Sequence, residues 1–288
     1  MLYSESRNTV LGVRQQEIEL VNTTPETESQ HRKALFSAQT TAPWLFYQPR
    51  GYDTRLTSPE FRLSMAIRCG TVPTDLLSSG AASCTCPNVT LDTPLAIVAH
   101  AMNCDANGFS PSTRHNLVKN AVAAVVRRYN LAVVLEPLNY CSDYTDARQH
   151  RPDLLVYTSP PVCTGFVVSQ QATSGKPGPA SKAAAKRKQQ HHQQAVARHG
   201  HVFIPFSMEA NGHCDSSVTA FAQAVGAHLP RHELRDFVQD VHAAAAAALA
   251  RARCHAVSSL FKVGTFSSHL RDGVPLLDDA DVGEGLAC

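Results

Sequence analysis

Arg151–Ser169 reads RPDLLVYTSPPVCTGFVVS, and the fold turns on this stretch. Asp153–Thr158 (DLLVYT) is short, apolar and bounded by turn residues, which predicts a strand. Thr164–Ser169 (TGFVVS) predicts another, with Ser159-Pro160-Pro161 as the turn between them. On the N-terminal side, Leu131–Leu138 (LAVVLEPL) is β-branched and apolar, a buried strand. On the C-terminal side, His201–Met208 (HVFIPFSM) is a fourth. Two of these strands are almost continuously apolar, which suits a sheet covered on both faces.

Helical patterns enclose the strands. Ser112 or Thr113 is the expected cap of a helix in which Leu117, Ala121, Val122 and Val125 recur at helical spacing, ending near Asn130. A Gly/Pro/Ser stretch at 174–181 leads into a basic helix at about 182–198, and Asp215 caps a further helix reaching about Ala227. From 112 to 226 the order is helix, three strands, helix, strand, helix, which makes the fold class α/β. Upstream, Ser58-Pro59-Glu60 is a helix start, with Ser58 as cap and with Phe61, Met65 and Arg68 sharing one face. Arg231 to about Lys262 reads as one or two helices, in which Leu234, Phe237, Val238 and Val241 form an apolar face. The expected division is a polar, poorly ordered segment at 1–40 and a linker helix with a Cys/His knuckle at 41–110. The α/β core at 111–228 follows, then helices at 229–265 and an acidic tail at 266–288.

Composition is that of a globular chain, 43% hydrophobic and 17% charged. The formal charge is only +2, so a nucleic-acid role has to come from where the charge sits. No stretch approaches the roughly 18 apolar residues of a membrane span, and MLYSESRNTVLG lacks the apolar run of a secretory leader. The expectation is a reducing compartment, in which clustered cysteines suggest a metal before a disulfide.

Such a cluster exists. Cys84 and Cys86 flank one residue, thirteen residues lead to His100, and three more lead to Cys104. Thiolate and imidazole are the ligands Zn²⁺ prefers, and four of them close a structural tetrahedral site. The Cys-x-Cys pair is tighter than the usual Cys-x-x-Cys. The alternative is three unrelated thiols and a histidine.

A second constellation surrounds Asp153. A carboxylate that opens a strand after proline is where metal-dependent nucleases place a Mg²⁺ ligand. Its usual partners are a second carboxylate about a dozen residues on and a lysine that orients water. The alternative is an aspartate that ends a turn. From Leu154 through Met208 there is no acidic residue, and Gly165 stands at the expected partner position. The remaining acids that could approach a metal are Glu136, on the preceding strand, and Glu209, after the fourth. The acid-free interval holds Lys176, Lys182, Lys186, Arg187, Lys188 and Arg198, a basic run suited to a phosphate backbone or, alternatively, a solvated helix face.

The succession of these motifs resembles one family. Cys84-Thr85-Cys86, His100…Cys104 and Thr113-Arg114-His115-Asn116 come first. Glu136-Pro137, Arg151-Pro152-Asp153-Leu154, the Ala-rich Lys186-Arg187-Lys188 helix and Phe203-Ile204-Pro205-Phe206…Glu209…Gly212 continue it in order. Together they are similar to the C-terminal region of site-specific non-LTR retrotransposon proteins. There a zinc knuckle precedes a restriction-endonuclease-like core of the Pro-Asp…Asp/Glu-x-Lys superfamily. The resemblance spans about 41–226. It implies a nuclear, Mg²⁺-dependent endonuclease that nicks a DNA target to prime reverse transcription, with element RNA as a second candidate partner. It assigns Asp153 as a magnesium ligand, Lys186 or Lys188 as the catalytic lysine, and Glu136 and Glu209 as recurrent acids. Arg114 and His115, with Arg151, Lys182 and Arg187, become candidate nucleic-acid contacts. The family carries aspartate where this chain has Gly165, so the catalytic set is incomplete. Three expectations follow: an active nuclease with a migrated carboxylate, a dead DNA- or RNA-binding module, or a truncated element remnant.

Overall fold

The computed structural model describes residues 50–51, 54–68, 71–86, 89–104, 111–138, 140, 151–169, 178–210 and 212–261. The expected lead-in at 1–40 and the acidic tail at 266–288 lie outside them. Among the described residues there are seven helices and six short strands in a mixed α/β arrangement. They are α1 (Ser58–Arg68), α2 (Thr74–Ser78), α3 (Pro94–Asn103), α4 (Pro111–Arg128), β1 (Val133–Leu135), β2 (Leu154–Val156), β3 (Val162–Thr164), β4 (Phe166–Ser169), α5 (Pro179–Arg198), β5 (Val202–Phe203), β6 (Phe206–Glu209), α6 (Ser216–Gly226) and α7 (Arg231–Leu260).

The strands form two small sheets, β1-β2-β3-β5 and β4-β6. β1/β2 and β2/β3 are antiparallel, whereas β3/β5 and β4/β6 are parallel. Each of the last two expected strands is therefore split in two. Val162 faces Val202 and Phe166 faces Phe206, so the same offset carries across both sheets. Ile204 and Phe206 donate to the Cys163 and Gly165 carbonyls, which turns the amide position of Pro205 toward the opposite edge. A proline is tolerated there because no inward rung needs its missing N–H. On the other side of the bend, the Phe166 amide finds the Asp153 carboxylate instead of a strand carbonyl.

Strand alternation divides the side chains between two layers. Leu154, Val156, Val162 and Phe166 join Val118, Val122, Val125 and Val126 of α4, with Phe221 of α6 and Phe237 of α7, in the main core. Leu155, Cys163 and Phe203 face the other way and pack on Val196 of α5. A third cluster joins α1 and α3 to the end of α7 through Leu63, Ile67, Ile97, Val98, Val257 and Leu260. Helix α7 is one 30-residue element, and its Ala243–Ala250 stretch is almost wholly buried. Alanines let neighbouring helices approach closely. The same closeness shows at Gly226, where a Cβ would stand 2.6 Å from Leu234 Cδ1.

Several local starts differ from expectation. Thr57, not Ser58, caps α1: the Thr57 amide donates to Glu60 Oε2 at 2.8 Å, and Glu60 N donates back to Thr57 Oγ1 at 3.4 Å. This reciprocal box satisfies two helix-end amides at once. The buried face of α1 is Glu60, Leu63, Ser64 and Ile67, while Phe61 of the expected face is exposed. Helix α4 begins at Pro111, so Ser112 and Thr113 lie in its first turn. Its end is at the expected place, with Asn130 left-handed (φ 57) and Leu131 N bonded back to the Val126 carbonyl. Asp215 caps α6 through the Ser217 amide at 2.9 Å, as the sequence implies.

Candidate functional site

Two clusters of chemistry-bearing side chains stand out. The first is the Cys/His group. Cys84 and Cys86 lie in an irregular segment, His100 is in the last turn of α3, and Cys104 is the C-cap of that helix. The four ligand atoms all lie within 4.8 Å of one another, and this group can hold a metal ion. Cys104 Sγ stands 3.4 Å from Cys84 Sγ and 3.6 Å from Cys86 Sγ. A disulfide needs about 2.05 Å, so these thiols are not bonded to one another. Tetrahedral ligands at about 2.3 Å from a metal are separated by roughly 3.8 Å, close to what is found. His100 Nε2 is buried with no hydrogen-bond partner, which is costly unless something else meets it. Burial pushes the Cys84 thiol up, but the Cys86 amide, His100 and Cys104 outweigh it and bring it down to about 6. Contacts with Cys84 and Cys104 push Cys86 up to about 12.

The second cluster is built around Asp153, just before β2. His115 Nε2 approaches Asp153 Oδ1 at 3.4 Å from α4, and Lys188 Nζ approaches Oδ2 at 3.7 Å from α5. The Phe166 amide donates to Oδ2 at 2.6 Å. Burial would push this carboxyl up, but His115, Lys188 and the Phe166 amide hold it below its ordinary range. Next to it, Glu136 N donates to the Asp153 carbonyl at 3.0 Å, one rung beyond the Leu135–Leu154 pair. The Glu136 carboxylate is bonded by buried Lys119, and by Arg151 Nη2 at 2.9 Å. Lys119 holds Glu136 low, against burial and the nearby charge of Asp153.

The structure thus brings together Asp153, Glu136, His115, Arg151 and Lys188 of the expected residues, and adds Lys119. His115 and Lys119 are four apart on α4 and so share a face, which is the signal that could have found Lys119. The other expected residues lie elsewhere. Lys186, Arg187 and Lys182 are exposed on α5, and Arg114 is buried on α4. Glu209 is wholly buried at the start of α5, where Oε1 accepts from Gly178 N (2.9 Å), Ala180 N (3.1 Å) and Ser181 N (3.3 Å). A carboxylate there neutralises the positive helix end and satisfies amides that have no intrahelical partner.

A Mg²⁺ centre does not fit these residues as they stand. Hard cations need carboxylate oxygens with charge to spare. Glu136 is already held by Lys119 and Arg151, which leaves Asp153, with Lys188 and His115 beside it, as the one other carboxylate of the cluster. No described helix is long and apolar enough to cross a membrane. No protein-family model matches the chain, and no curated protein matches its sequence.

Proposed function

We propose that this chain is a restriction-endonuclease-like core of the non-LTR retrotransposon type that now binds nucleic acid without cleaving it. The observation that supports this most is the charge balance around Asp153 and Glu136. Two carboxylates are met by Lys188, Lys119 and Arg151, with His115 adding charge when protonated. Exposed Lys182, Lys186 and Arg187 extend the positive surface along α5. Such a surface suits phosphodiester oxygens better than a bare divalent cation. DNA is the partner that the resemblance implies. Zinc is the metal proposed for Cys84, Cys86, His100 and Cys104, because its preferred donors are the ones present. Its role there is structural, since four protein ligands leave no open position.

The test is a plasmid-nicking assay with Mg²⁺ or Mn²⁺ on the wild-type protein and on D153A, beside a binding titration at several salt concentrations. The expected result is binding that weakens steeply with salt and no nicking by either protein. Nicking that vanishes in D153A, and also in E136Q, would overturn the reading. It would make Glu136 the acid that replaces the one absent at Gly165.

A further inference from the structure

We propose that Tyr140, Cys163 and His201 form a second cation site, separate from the Cys84 group. It takes a borderline divalent ion of the zinc class through one phenolate, one thiolate and one imidazole. None of its donors belongs to the Asp153 cluster, and the inference does not rest on the nucleic-acid reading.

The fold assembles these residues from three distant parts of the chain. Cys163 pairs with Phe203 in the parallel β3/β5 ladder. Side chains two apart on a strand share a face, so His201, just before β5, lies on the side of Phe203 and Cys163. Val202 N donates to the Pro161 carbonyl at 2.9 Å, which continues the ladder to that end. Tyr140 comes from the connection after β1 and packs on the cluster of Leu155, Cys163, Val196 and Phe203. Its hydroxyl stands 2.6 Å from His201 Nδ1 and 3.1 Å from Cys163 Sγ, and that sulfur is 3.8 Å from the same nitrogen.

These distances admit a metal. An ion about 2.0 Å from the nitrogen and the oxygen, and about 2.3 Å from the sulfur, fits all three atoms where they stand. Its angle between Tyr140 and His201 is narrow there, and moving the two rings apart by about half an ångström opens it. With the phenol as donor to Nδ1, the short contact holds one proton, which the cation replaces. The thiol gives up its proton as well, so binding releases two.

Charge selects a divalent ion. One phenolate and one thiolate neutralise a 2+ charge, and a neutral site is what an apolar layer tolerates. Thiolate and imidazole favour zinc, cobalt or copper over magnesium or calcium. Cys163 is wholly buried, whereas Tyr140 and His201 are half-buried. Exposed His199 lies against Tyr140 with ring centroids 4.8 Å apart. Three protein ligands leave a fourth tetrahedral position for water.

The experiment dialyses zinc-loaded wild type, C163S, H201N and Y140F against Co²⁺ and counts cobalt and zinc per chain. The thiolate-to-cobalt charge-transfer band in the near ultraviolet reports whether sulfur is a ligand. Wild type is expected to hold one cobalt more than C163S, whatever the Cys84 group carries, and that extra ion should show the band. H201N and Y140F should each weaken it at least tenfold, since a direct ligand matters no less than the groups that orient one. A triad joined by hydrogen bonds alone would give no extra cation. The proposal is overturned if wild type and C163S bind equal cobalt, if the extra ion lacks the band, or if the band grows only as zinc leaves the protein. Should C163S fail to fold, H201N and Y140F carry the test, and wild-type affinity in either one overturns the proposal.

Discussion

Asp153 and Tyr129 show how a single side chain is tuned by what surrounds it. Asp153 stays ionised in a half-closed site because two side chains and one amide outweigh its burial. Its contribution to stability is complete above the ordinary aspartate range and is lost as pH falls through its lower folded value. Tyr129 is the opposite case. Burial and the bond from its hydroxyl to Asp240 Oδ2 (2.9 Å) push the phenol up to about 12. The folded state then keeps a proton that the unfolded chain gives up near pH 10. Stability from this group is full below about pH 10 and is lost as pH rises toward 12. We expect Tyr129→Phe to flatten the unfolding free energy across that window by about 1–2 kcal/mol, with solvent screening allowed for. Denaturant titrations at stepped alkaline pH measure this, and an unchanged slope would count against it.

At the scale of elements, α5 depends on a residue from another part of the chain. Gly178 sits at its N-cap with φ 101, a conformation that glycine adopts without strain, and offers no side-chain cap. Glu209, at the end of β6, supplies the missing acceptor to three amides. Ser207 Oγ adds a bond to the Ser181 carbonyl at 2.7 Å. Glu209→Ala is expected to cost about 2–4 kcal/mol, since it leaves buried amides without an acceptor. The check is a shift in denaturant midpoint with α5 losing amide protection first. A midpoint within error of the wild type would remove Glu209 from this structural role. The basic surface and Lys188 ride on the same helix, so its anchoring also positions the proposed binding face.

At the scale of the whole molecule, α7 joins the parts. Its first half contributes Phe237, Val241 and Ala245 to the main core, and its end contributes Val257 and Leu260 to the cluster around α1 and α3. Cys84 packs against that second cluster, and Ser83 N donates to the Leu260 carbonyl at 2.8 Å. Loss of the proposed zinc should therefore be felt along α7. Cys104→Ser, or chelation of the wild type, is expected to remove one zinc per chain. It should also lower the thermal midpoint by several degrees and raise hydrogen exchange near Leu260. Zinc analysis with calorimetry tests this. A protein that never contained metal would refute the zinc assignment.

Local pattern along the chain was enough for the mixed α/β class, the positions of most elements and the Cys/His group. Those signals are local: hydrophobic period, caps such as Asp215, and ligand pairs such as Cys84/Cys86 and His100/Cys104 held within one short segment. It also named Asp153, Glu136, Lys188 and Glu209 as residues to watch. Which partners they meet depends on packing between elements. The β1–β2 register sets Glu136 beside Asp153, and the packing of α5 brings Lys188, rather than Lys186, to the carboxylate. The packing of β6 against the start of α5 puts Glu209 at that helix end instead of in the Asp153 cluster. Helical spacing puts Lys119 on the face of His115, but its pairing with Glu136, which lies on another element, follows only from the packing of α4 on β1. Charge pairing acts through space, and a pattern along the chain carries no measure of that distance.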